Sequence, residues 1–158
     1  MKVEFVSPFI DAAGEVLEAE LGGEARRGPL RLHKSAVTTD EVTAIVGVTG
    51  TVNGLVLYSM DRATALAIVS RTMRREFREF DALAQSGIGE LGNVITGRAG
   101  VLLSRAGYAS NISPPSVVVG KGTLVTTLDL NRLVLPLQTE LGGLEVQIVL
   151  RANADQRY

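Results

Sequence analysis

The sequence of 158 residues predicts an α+β sandwich, three main helices packed on a mostly antiparallel sheet. Three observations carry this. Helical and strand-like periodicities occupy separate blocks with no regular strand-helix alternation. Glycine-containing turns join neighbouring β-rich segments into hairpins. The two halves of the chain also resemble each other, which points to an internal pseudo-repeat. The length fits a single domain over residues 1–158, with 151–158 read as a frayed tail.

Each element follows from local signals. Over residues 7–21, Phe9, Ala13, Val16, Leu17 and Leu21 stand at helical spacing, with Ser7 as N-cap, Pro8 just inside and Gly22-Gly23 as the stop. Asp11, Glu15 and Glu18 fall on the opposite side, an acidic face expected to meet water. Residues 31–37, 42–49 and 55–60 read as strands, the last two joined by a turn that includes Asn53-Gly54. Asp61 caps a second helix with Ala65, Leu66, Ile68, Val69 and Met73 on its apolar side, running into the charged stretch 74–79. A third helix covers 82–106, and GYASNISPP after it reads as a loop. Strands follow near 116–120, 123–130, 133–140 and 144–150, the last pair turning at Gly142-Gly143.

The pseudo-repeat has a register. Ser7, Asp11 and Gly14 precede Ser86, Glu90 and Asn93 by 79 positions, and Phe9 and Val16 match Ile88 and Ile95. The hairpin turns are 89 apart, so the second half carries about ten extra residues.

Composition narrows the function classes. Hydrophobic residues at 46% and charged residues at 21% exclude a disordered, collagenous or coiled-coil chain. Sixteen basic against 17 acidic residues leave a net charge of −1, which gives no field to gather nucleic acid. The absence of cysteine removes disulfides, thiolate zinc sites and cysteine nucleophiles. The one histidine, His33, lies in LRLHKSAV, a strand context that suits structural occupancy, so Ser-His-Asp chemistry is not expected. GVTGTVNG at 47–54 lacks the strand, glycine loop, helix order of a dinucleotide site. The first residues do not read as a signal peptide and no run of 18 apolar residues spans a membrane, so the expectation is a cytoplasmic protein with no membrane partner.

The third helix is unusual. On a helical wheel Ala84, Ile88, Leu91, Ile95, Ala99 and Leu102 form one apolar stripe. The side facing away collects Ser86, Gly89, Asn93, Gly97, Gly100 and Ser104, with Glu90 at its shoulder. An exposed helix face normally carries Lys, Glu, Arg and Gln, and each interior glycine costs up to about 1 kcal/mol against alanine. Without side chains the face lets another backbone approach, leaving Glu90 and Asn93, one turn apart, as its long polar groups. Two readings stand: a helix covered on both sides with Asn93 bonded internally, or a docking face whose acid and amide enter a partner's site. The first helix keeps charge on the corresponding face and has Gly14 where Asn93 would be.

Ser86-x-x-x-Glu90-x-x-Asn93, with Pro114-Pro115 some twenty residues later, resembles the helix signature of the CheC/CheX/FliY phosphatases of bacterial chemotaxis, and SGIGELGNVITGRAGVLLS is most similar to the CheX type. The first repeat departs from the two-motif pattern, since Asp11 with Gly14 lacks the amide; one active face per chain is implied. The resemblance implies a CheC-like or CheX-like sandwich that hydrolyses the aspartyl phosphate of a CheY-type receiver. Asn93 would orient the attacking water, Glu90 would pair with the receiver's lysine, and Ser86, Gly89, Gly97 and Gly100 would form the docking face. It implies no cofactor in this chain, Mg²⁺ supplied by the receiver, and a homodimer made by pairing sheets, for which the apolar strands of 133–150 offer an edge. The alternative is a non-catalytic receiver-binding or flagellar-switch-like interaction module.

Overall fold

The first helix, α1 (Val3–Leu21), begins four residues before the expected Ser7 and carries Pro8 inside it. Proline removes one helical hydrogen bond, but the extra turn buries Phe5 and Val6, and Phe5 meets Tyr108 edge-on at 5.0 Å between ring centres. Gly22, at φ 76°, closes the helix by donating its N–H to the Glu18 carbonyl. Phe9, Ala13, Val16, Leu17 and Leu21 all point inward, as their spacing requires. The computed structural model describes residues 2–34, 37–126 and 131–153.

Three short strands follow: β1 (Arg26–Arg27), β2 (Arg31–His33) and β3 (Val37–Thr38). The strand expected over 31–37 is thus two pieces, β2 in the main sheet and β3 in a small one, with 35–36 outside the described residues. Hairpin β4 (Val42–Gly50) to β5 (Val52–Met60) turns at Gly50-Thr51, ahead of the expected Asn53-Gly54. Gly50 takes φ 119° there, and the Asn53 side-chain oxygen accepts its N–H at 3.1 Å. Gly54 lies within β5, where the Val149 carbonyl of the neighbouring strand comes so close that a Cβ would overlap it.

Helix α2 (Arg62–Thr72) is capped as read, the Asp61 carboxylate accepting the Thr64 N–H at 2.7 Å. Helix α3 (Ala82–Arg105) starts likewise at Asp81, which accepts the Ala84 N–H at 2.9 Å. The expected loop after α3 contains a strand, β6 (Ser110–Ile112), before β7 (Ser116–Val119) and β8 (Leu124–Val125). Of the strand expected over 123–130, residues 127–130 lie outside the described residues. Hairpin β9 (Arg132–Thr139) to β10 (Gly142–Ala152) turns at Glu140-Leu141, just before the two glycines; the Thr139 hydroxyl donates to the Gly142 carbonyl and accepts the Leu141 N–H. Residues 151 and 152 are not frayed: they pair with Asn53 and Val52, and Asn153 donates its N–H to the Thr51 carbonyl. Residues 154–158 lie outside the described residues.

The main sheet is antiparallel throughout, in the order β1-β9-β10-β5-β4-β6, with β2 also on β9 and β7 also on β4. The two hairpins meet at the centre through β5 and β10. Each helix of the pseudo-repeat, α1 or α3, leads into an edge segment that pairs with the other half's hairpin. Both edges are interrupted by proline, at Pro29 between β1 and β2 and at Pro114-Pro115 between β6 and β7. The edge expected within 133–150 is not there, because β10 is interior and β9 is covered by β1 and β2.

Helix α3 packs on one face of this sheet and α1 packs on α3, so that Phe9, Leu17, Ile88 and Ile95 share one core with Val46, Val56 and Ile148. On the opposite face the buried Arg132 ties β8 down by donating to the Val125 carbonyl. No described helix is long and apolar enough to cross a membrane.

Candidate functional site

Helix α3 is more deeply embedded than a surface helix. Ala84, Ile88, Leu91, Ile95 and Ala99 are buried as the wheel requires, and Leu103 takes the inward place expected of Leu102. A second buried strip, Gly89, Gly92 and Thr96, faces the sheet. Here the glycines serve packing inside the chain. A Cβ on Gly92 would stand 3.1 Å from the Tyr58 ring and 3.2 Å from Ala44 Cβ; one on Gly87 would stand 2.9 Å from Val69 of α2. Gly89 lies under Pro115 and Val117, so the expectation that it belongs to an open docking face is corrected: β7 and the proline before it already cover it. Pro115, not Pro114, is the proline that meets the helix there.

The remaining face is open. At Gly97 an added Cβ would meet only Ile112 at 3.8 Å, and at Gly100 nothing within 4 Å. Ser86 and Glu90 are exposed and Asn93 is half-buried. Among the described residues none gives the Glu90 or Asn93 side chain a hydrogen bond or an ion pair, which removes the reading in which the Asn93 amide is spent on an internal bond. An acid and an amide one helical turn apart, both uncommitted, are placed to meet another molecule. Beside Glu90 a groove of about 390 Å³ runs between the helices, lined by Glu20 of α1, Met73 after α2, and Ser86, Leu91 and Val94 of α3.

One helical turn after Asn93 lies a feature the sequence reading missed. The Tyr58 hydroxyl of β5 and the Thr96 hydroxyl are 2.8 Å apart, and Thr96 donates to the Gly92 carbonyl at 2.7 Å. Tyr58 and Thr96 are both buried, and burial pushes the Tyr58 phenol well above its ordinary value, its bond to Thr96 opposing only in part. The available signal was a threonine, a poor helix former, four residues after a glycine in mid-helix.

The corresponding face of α1 offers no such pair. Asp11 is exposed and Gly14 has open space where an amide would stand. The acidic side expected to meet only water is partly engaged, since Glu15 pairs with Arg98 of α3 at 2.8 Å. No cluster of three or more acidic or histidine side chains is placed to hold a metal among the described residues. His33 sits at the end of β2, far along the chain from any of these groups and on the sheet edge. What α3 offers on its open side is a strip of small residues with a carboxylate and a carboxamide one turn apart.

This fold, with that helix laid across its hairpins, defines a CheC-like α+β protein. The crystal structure of a CheC-like superfamily protein from Shewanella sp. PV-4 matches it with a TM-score of 0.86 at 25% identity, over 96% of this chain and 100% of that one. More narrowly, the family described as chemotaxis phosphatase CheX matches residues 42–138, and the CheY-P phosphatase CheX of Thermotoga maritima is 33% identical over 122 residues, 77% of this chain and 79% of that protein. The chain belongs to the CheX family. The crystal structure of a CheX-CheY-BeF3-Mg²⁺ complex from Borrelia burgdorferi is also similar, with a TM-score of 0.79 at 27% identity over 95% of this chain and 99% of that one.

Proposed function

We propose that this protein hydrolyses the aspartyl phosphate of a CheY-type response regulator, laying α3 against the receiver so that Glu90 and Asn93 enter its active site. The observation that supports this most is the uncommitted acid and amide pair on the open side of α3. Membership of the CheX family supports the substrate class.

The residue types suit the reaction. An acyl phosphate is already activated, and what limits its hydrolysis is a water placed in line with phosphorus. Asn93 can hold that water through donor and acceptor together, but a carboxamide takes up no proton near neutral pH, so its role is positioning. Water oxygen then bonds to phosphorus, the bond from phosphorus to the aspartyl oxygen breaks, and the products are the aspartate carboxylate and inorganic phosphate, which keeps the water's protons in exchange with solvent. Glu90 pairs with the receiver's active-site lysine and fixes the register of docking. Ser86, Gly97 and Gly100 complete the docking face. The Mg²⁺ of the reaction comes with the receiver, in keeping with the composition of the Borrelia complex. The same proposal places the protein in the cytoplasm with its receiver, as a homodimer.

The test is phosphate release from a panel of phosphorylated receivers, with wild type and Asn93→Ala side by side. The expected result is acceleration by wild type and a loss on the order of 10²-fold in kcat for Asn93→Ala with binding nearly intact, comparable to losing one oriented transition-state contact. Equal losses in binding and turnover would overturn the positioning role. Receiver binding with no phosphate release by wild type would leave an interaction module instead.

A further inference from the structure

Among the cavities, exposed patches and buried polar groups of the chain, the Tyr58–Thr96–Gly92 arrangement is the one the geometry carries furthest. A carbonyl cannot donate, so the 2.7 Å contact from Thr96 to Gly92 uses the only Thr96 hydroxyl proton. The 2.8 Å contact to Tyr58 must then run the other way, with the phenol donating to the Thr96 oxygen. The result is a directed chain from the sheet: Tyr58 hydroxyl, Thr96 hydroxyl, Gly92 carbonyl.

The carbonyl at the end belongs to the peptide group whose nitrogen is that of Asn93. That peptide also lies close on the sheet, because a Cβ added at Gly92 would stand 3.1 Å from the Tyr58 ring and 3.2 Å from Ala44, tighter than ordinary contact. We infer that Tyr58 and Thr96 are positioning residues for Asn93: they fix the plane of the Gly92–Asn93 peptide, and so the direction in which the amide leaves the helix. The inference rests on the phosphatase reading above. A water held in line with phosphorus tolerates displacement poorly, and an error of about 1 Å in such geometry can lower a rate by about 10²-fold. The arrangement sits on rigid elements, a central strand and a mid-helix turn, as a supporting shell should. The high phenol value set by burial keeps the Tyr58 proton in place across the working pH range.

The experiment compares Tyr58→Phe, Thr96→Val and Thr96→Ser with wild type. Phenylalanine keeps the ring against Gly92 and removes only the donor. Tyr58→Phe and Thr96→Val are expected to lower kcat for phosphate release about 10-fold with KM for the phosphorylated receiver unchanged, and Thr96→Ser, which keeps the hydroxyl, is expected to restore kcat. In an Asn93→Ala background Tyr58→Phe should change kcat no further, because the residue it acts through is gone. A normal kcat in Tyr58→Phe, a loss confined to KM, or the same loss with Asn93 already removed would overturn the inference. Thr96→Val supplies the answer if Tyr58→Phe does not fold. The two readings fail separately: a wild-type protein that releases no phosphate overturns the phosphatase reading. In that case the NMR signal of the Asn93 side-chain amide decides, sustaining the placement if Tyr58→Phe displaces it and refuting it if not.

Discussion

Glu90 and Asn93 stand one turn apart on α3, and their roles separate experimentally. Glu90 is an exposed carboxylate with no partner among the described residues, and in the proposed complex it would contribute its charge. Glu90→Ala should weaken binding of the phosphorylated receiver at least as much as it lowers turnover. Raising ionic strength should weaken the wild-type complex more than the variant. Binding titrations at two salt concentrations check this, and a salt-independent wild-type complex refutes the ion pair. Gly100 gives a second test. Its open surroundings mean that Gly100→Ala should stabilise the free protein by up to about 1 kcal/mol through helix propensity, read as a higher Tm. If the face docks a receiver, the same methyl group should weaken binding; unchanged affinity would remove Gly100 from the interface. At this scale the acid and amide were legible because an exposed strip of small residues is abnormal. Gly89 was misassigned because a helical wheel shows which residues share a side, not that Pro115 and Val117 return to cover one of them.

At the scale of elements, the Asp61 cap and the buried helix faces were readable, whereas the Ser7 start of α1 and the Asn53-Gly54 turn were not. Asp61 occupies the N-cap position read for it, and Asp81 caps α3 in the same way; each accepts the N–H of the residue three places on. The start of α1 was hidden because Pro8 imitates a first-turn proline, while the burial of Phe5 that extends the helix depends on Tyr108, remote in sequence. Likewise Asn53-Gly54 imitates a two-residue turn, while the need for glycine comes from the Val149 carbonyl on another strand. The Asp61 cap predicts a pH dependence. The Thr64 backbone N–H, and next its hydroxyl, hold the Asp61 carboxyl below its ordinary value of 3.8. A lowered folded value means that the stabilisation is fully present above that ordinary value and is lost as pH falls through the folded one. Asn at this position caps without titrating. Wild type should therefore exceed Asp61→Asn in Tm near neutrality, and the margin should shrink below about pH 4 and vanish in stronger acid. A margin constant from neutrality to strong acid, in thermal melts across that range, would refute it.

At the scale of the whole molecule, the pseudo-repeat was legible because it leaves paired marks in the sequence, but the crossing of its edge segments was not. Nothing local tells β1 and β2 to pair with β9 of the other half, or β6 and β7 with β4; pairing between distant strands is decided by the assembled sheet. That crossing moves the argument for a dimer. The apolar strands β9 and β10 are interior, so a second copy must use an outer edge. Both outer edges carry proline, which has no N–H to donate: the β6/β7 edge has two adjacent prolines, and the β1/β2 edge has the single Pro29, after which Leu30 and Leu32 stand 46% and 55% exposed. The homodimer is therefore expected to form along β2. Sedimentation at micromolar concentration should show a dimer, and Leu32→Lys, which places a charge on that edge, should shift it to a monomer without lowering Tm measurably in the monomer's own melt. A variant that remains dimeric would move the interface away from β2, and a monomeric wild type would remove the dimer. Helix α3, which carries the proposed site, lies in the helical layer and the edge at the rim of the sheet, so the monomeric variant should retain phosphate release per chain; loss of activity together with the dimer would mean that the second copy completes the site.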